Sequence, residues 1–214
     1  MKKIFFKNVF ALMCACVMTA SFVACGDDDP VTTQTPEEQP KPQEEVVPVN
    51  LKSATSEFTV TTQGLDALKA ISTDGKVMVR YTYNTGEVKT EEITSSTFQR
   101  SLSYAFNDKK ELVVSMQVYI NDFDEEKLRE IIGTVYMEVE MKGGVVLKYE
   151  NTDVNYALKQ VTNFNKFERT DEKVEAAVKT LKRDKERHGV IPFATYGLKA
   201  TNASIGSSAS WLGN

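Results

Sequence analysis

Three stretches of the chain place apolar residues at every second position. Val77, Val79, Tyr81 and Tyr83 alternate with Lys76, Met78, Arg80 and Thr82. Leu112, Val114, Met116, Val118 and Ile120 alternate with mostly polar neighbours, and Val135, Met137, Val139 and Met141 repeat the pattern. A period of two sends successive side chains to opposite faces of an extended chain, so these stretches predict half-buried antiparallel strands. Between them lie residues that tolerate positive φ: Asp74-Gly75, Asn84-Thr85-Gly86, Asn107-Asp108 and Gly143-Gly144. Strands and turns together predict successive hairpins over 66–94, 98–120 and 134–150.

Two segments follow a helical period instead. Residues 122–132 begin with acids, bring Phe123, Leu128, Ile131 and Ile132 near one face and stop at Gly133. Residues 171–188 carry a thin apolar stripe of Val174, Ala177, Val178 and Leu181 on an otherwise charged helix, with Gly189 as its C-cap. The tail from Pro192 has Lys199 as its only charge and reads as one or two closing strands around a Ser/Gly-rich bend. The expected fold is α+β and β-dominated: antiparallel hairpins forming a sheet or sandwich with two helices, in a single domain over 51–214.

The first fifty residues are built differently. Lys2, Lys3 and Lys7 precede an uncharged apolar run over 9–24, which ends in small residues before Cys25. A basic start, an apolar middle and a processing site are the anatomy of a signal peptide, here 1–24. The run is shorter than the roughly 17–25 residues that span a bilayer. Phe22-Val23-Ala24-Cys25 resembles the lipobox of bacterial lipoproteins, with Phe22 where that family usually has an aliphatic residue. Asp27, Asp28 and Asp29, just behind it, resemble the acidic export tag of surface lipoproteins in the Bacteroidota. The resemblance covers only residues 1–29. It implies a lipid on Cys25, anchorage in the outer membrane and a domain facing the cell exterior. Several buried acyl chains would make that anchor stable.

Composition sharpens the boundary. Five of the six prolines fall within 30–48, a stretch with no aromatic residue, so it cannot offset its own ordering entropy and reads as an extended tether. Residues 25–50 are expected to comprise the Cys that the lipobox resemblance implies is lipidated and a disordered, Pro- and acid-rich tether. Beyond it acids and bases nearly balance, and no basic excess invites nucleic acid. Cys14 and Cys16 lie in the expected signal and the lipobox resemblance implies a lipid on Cys25, so the domain over 51–214 is expected to have no disulfide, thiol chemistry or Cys-ligated metal.

Candidate chemistry is sparse. The acids Asp122, Asp124, Glu125 and Glu126 lack the spacing that wraps Ca²⁺ and are better explained by helix capping. His188, the only histidine, falls in the last turn of a helix, where its charge complements the helix dipole. No nucleophile elbow or phosphate-binding loop is present, so no catalytic residue, metal or cofactor is assigned. Carboxylate chemistry leaves no local signature and stays open. Trp211, with Tyr196 and Phe193, forms either a sugar-stacking platform or a plug for the core, the commoner use of a lone Trp. The expected role is a non-enzymatic binding or accessory module, its partners the membrane through the lipid anchor and a glycan or another outer-membrane protein. A fimbrillin-like subunit and an extracellular glycan- or peptide-acting hydrolase are the alternatives.

Overall fold

In the computed structural model, residues 47–163 and 169–213 are described. The chain divides into Met1–Gln43 and Glu44–Asn214, and every described residue falls in the second part. The signal peptide, Cys25, Asp27, Asp28, Asp29 and the tether up to residue 46 therefore lie outside the described residues.

Among the described residues nine strands form two antiparallel sheets. One sheet orders β4 (Thr97–Tyr104), β1 (Leu51–Gln63), β6 (Glu138–Tyr149) and β7 (Asp153–Asn163). The other orders β3 (Glu87–Glu92), β2 (Met78–Tyr83), β5 (Leu112–Ile120), β8 (Ile191–Ala200) and β9 (Ile205–Ser208). Alternate side chains of both sheets meet in a common core, among them Phe58, Val60, Val79, Tyr81, Met116, Val118, Met141 and Val145. The fold is thus α+β and β-dominated, as the period of two implies. Burial of these apolar rows is its main stabilising contribution.

Three helices, α1 (Leu65–Ile71), α2 (Glu125–Ile131) and α3 (Asp171–His188), each carry the chain from one sheet to the other. α1 is additional to the two expected helices. Its buried Leu68 and Ile71 stand at helical spacing, but seven residues are too few to show a period, so the segment reads as part of a hairpin. Gly64 starts it in the left-handed region at φ 69°, and a Cβ there would lie 2.3 Å from the Tyr136 carbonyl oxygen. α2 is capped by Asp124, whose Oδ1 accepts from the Glu126 and Lys127 N–H groups at 3.1 Å each. α3 buries Val174, Val178 and Leu181 and ends at Gly189, φ 71°.

The hairpin readings need three corrections. Only 78–92 of the first span is a hairpin, β2–β3, turned by Asn84-Thr85-Gly86. In the second span β4 and β5 belong to different sheets: β4 pairs with β1, and β5 pairs with β2 and β8. The Asn107 side chain closes a tight turn there by accepting from Lys109 and Glu111 N–H, yet a local turn does not decide which strands pair. In the third span β6 runs straight through Gly143-Gly144 and pairs with β1 and β7. Gly143 is needed for close approach, because a Cβ would lie 2.0 Å from the Glu57 carbonyl oxygen.

Polar side chains close the two corners between the sheets. At one, Arg100 on β4 donates to both carboxylate oxygens of Glu91 on β3, and the Tyr81 hydroxyl donates to the same group. At the other, β9 covers only the end of β8, so Gln160 and Thr162 of β7 serve its open backbone. Gln160 Oε1 accepts from Thr195 N–H at 2.7 Å, and the Thr162 hydroxyl donates to the Phe193 carbonyl. Inward polar groups on edge strands also block pairing with another chain.

Candidate binding site

The outer face of the second sheet is not the solvated face expected of a half-buried strand. On β5 the outward residues Ser115, Gln117 and Tyr119 are buried along with the inward row. The cover includes the chain's own tail, residues 210–213, which lies over the centre of the sheet. Gly197 on β8 makes room for it: a Cβ there would lie 2.6 Å from the Ser210 carbonyl oxygen and 2.7 Å from Leu212 Cγ. Leu212 N–H donates to Ser115 Oγ at 3.0 Å, and the Ser115 hydroxyl donates in turn to the Tyr196 carbonyl. Thr82 completes the seat by accepting from Ser115 N–H at 2.8 Å.

This docking brings Trp211 to Arg80. The guanidinium carbon lies 4.5 Å from a Trp211 ring centroid and 5.2 Å from that of Tyr119. Arg80 Nε donates to Gln117 Oε1 at 2.9 Å, Gln117 Nε2 donates to Thr195 Oγ1 at 2.9 Å, and Thr195 N–H donates to Gln160. A polar ladder therefore runs from β2 through β5 and β8 to β7. Arg80 is half-buried, and desolvation holds its pKa below the ordinary arginine value. Among the described residues its two terminal nitrogens have no hydrogen-bond acceptor, and no carboxylate stands within ion-pair distance. Glu92, on the neighbouring cross-strand row, is engaged by Lys69 at 3.2 Å.

The three aromatics expected to act together are separated. Phe193 is 3% exposed and Tyr196 8%, both packed in the hydrophobic core, while Trp211 is half-buried at the outer face, so the three do not form one shared platform. Register explains it: Tyr196 pairs with inward Met116, and Phe193 lies at the bulge between Val118 and Tyr119. Arg80, Tyr119 and Gln117 are site residues that the sequence does not single out. Arg80 is visible there only as one outward position of an alternating strand.

Several other ionisable groups are held in structural pairs. Arg100 hydrogen bonds lower the Glu91 pKa to about 2, which suits a fixed anion better than a proton donor. Arg129 joins Glu125 of α2 to Glu175 of α3, and Lys182 reaches Glu125 at 2.5 Å. Asp122 faces Lys185 at 3.5 Å, and His188 is exposed in the last turn of α3. A cleft of about 440 Å³ beside α3 is lined largely by Ile132, Ala176, Ala177 and Leu181 and gathers no catalytic constellation. No set of three His, Cys, Asp or Glu groups among the described residues is placed to hold a metal ion. Comparison with protein-family models, curated proteins and solved structures finds no match to this chain, so its functional reading rests on its own residues.

Proposed function

We propose that the protein is a lipid-anchored module of the outer-membrane surface that binds a ligand without transforming it. The signal peptide, the lipobox at Cys25 and the acids Asp27, Asp28 and Asp29 support the location. The observation that carries the binding role is Arg80: a half-buried cation beside two aromatic rings, with donors that no described residue uses. A partly buried guanidinium whose terminal donors meet no protein acceptor can take an anionic group from a ligand. A binding surface needs such a group in a fixed frame, and the Gln117–Thr195 ladder fixes it from behind.

The test has two arms. Detergent phase partitioning of the wild type and Cys25→Ser should show the wild type in the detergent phase and the variant in the aqueous phase. Equal partitioning would remove the anchor. The purified protein should then bind an acidic glycan or an outer-membrane protein stoichiometrically without forming product; turnover that disappears on replacing a carboxylate of the domain would make it a hydrolase.

A further inference from the structure

We infer that the seat around Arg80 takes the carboxylate of an acidic sugar, a uronate residue of a glycan. This deepens the binding role proposed above and rests on it only in requiring that the domain bind a ligand.

The acceptor is defined first. A guanidinium presents paired N–H donors in one plane and matches the two oxygens of a carboxylate. Arg80 has Nε engaged by a neutral amide and both terminal nitrogens without an acceptor among the described residues. Arg80 is also the only cation on its cross-strand row, which runs Thr90, Arg80, Gln117, Thr195. One cation matches a monoanion; a phosphate, with more charge to neutralise, generally gathers several.

The surroundings then narrow the ligand. Trp211, with its ring centroid 4.5 Å from the guanidinium carbon, is only half-buried, while the exposed Thr90 offers a hydroxyl on the adjoining strand. A uronate carries the three matching features in one ring: a carboxylate, an apolar C–H face and hydroxyl groups. An extended peptide fits less well. It gains most of its affinity by adding to an open strand edge, and β2 at Arg80 is already paired on both sides, with Thr90 and Gln117.

The experiment uses the full chain in detergent, titrated calorimetrically with trigalacturonate, its neutral methyl ester and a short peptide bearing a free C-terminus. Trigalacturonate should bind at least about tenfold tighter than the ester, the ratio expected when a charge-assisted pair is lost. Arg80→Gln should erase that preference, and Arg80→Lys, which keeps the charge without the planar fork, should restore part of it. Both variants should melt cooperatively near the wild type, which separates a lost site from a lost fold. Equal binding of acid and ester, or undiminished binding by Arg80→Gln, overturns the inference. So does tighter binding of the peptide, or no binding of trigalacturonate at about 10 mM, where even a weak site of millimolar affinity would fill. Cleavage of trigalacturonate with Arg80-dependent affinity would keep the site and remove the non-catalytic reading instead.

Discussion

Arg100 and Arg80 occupy similar seats at two regions of the sandwich. Arg100 lies 4.2 Å from the Phe98 ring centroid, and Arg80 lies 4.5 Å from that of Trp211. Arg100 grips Glu91 through Nε and a terminal nitrogen, closing the corner between β4 and β3. Arg80 meets only the neutral Gln117. Aromatic neighbours shield both charges, but the Arg100 corner completes its electrostatics within the fold and the Arg80 face does not. The first region is closed by its own ion pair, and the second leaves the terminal Arg80 donors without an acceptor among the described residues.

The corner should be the more fragile of the two under mutation. Phe58 is 1% exposed, with its ring 5.8 Å from Tyr81 and 6.2 Å from Phe98, so it supports the floor beneath Arg100 and Glu91. Phe58→Ala should cost about 3–5 kcal/mol in denaturant unfolding, the usual range for opening a cavity of that size in a core. A cost near zero would mean that the corner is not packed as described.

A second contrast removes the counter-charge of Arg100 and, separately, the Arg80 guanidinium itself. Glu91→Gln leaves Arg100 facing inward without a counter-charge and should cost about 2 kcal/mol, below the range for fully buried pairs because this one is partly solvated. Arg80→Gln has no ion pair to break and should cost under about 1 kcal/mol, the scale of a partly exposed cation–π contact. Thermal melts of both variants would check the ordering. A larger loss for Arg80→Gln would identify Arg80 as a structural latch for the tail and dissolve the contrast between the regions.

The two regions are unequally legible in the sequence. Strands with strong alternation, β2, β5 and most of β6, can be read directly because their inward rows are Val, Leu, Met, Ile and Tyr. β1 is fainter because its inward row mixes Ala54, Ser56 and Thr62 with Phe58 and Val60. Pairing is harder to read: Asn107-Asp108 and Gly143-Gly144 look like hairpin turns, while the actual partners come from distant strands. The site is harder still. Trp211 attracts notice as the only Trp, but Arg80 becomes special only when Gly197 and Ser115 let the tail cross the sheet, a contact between residues far apart in the chain. Helix ends are clearer, since a cap such as Asp124 acts within a few residues of its own position.

The smallest expected effect concerns acid and sharpens the same contrast. Glu91 has its pKa lowered from 4.5 to about 2 in the folded protein, chiefly by hydrogen bonds from Arg100 against the opposing effect of burial. A carboxyl whose pKa falls on folding stabilises the native state when ionised. Its contribution is therefore complete above the unfolded value of 4.5 and declines as pH falls from there through about 2. With the side chain 22% exposed, solvent screening reduces this contribution to about 1 kcal/mol. Denaturant unfolding of the wild type and Glu91→Gln across about pH 7 to 2.5 isolates it, because the other carboxylates titrate in both proteins. The stability gap should stay constant down to about pH 5 and narrow below it. Arg80→Gln should show no such narrowing relative to the wild type, since no described carboxylate is paired with Arg80. A gap that narrows for Arg80→Gln as well would reveal an acidic partner at that site and return Arg80 to the structural class of Arg100.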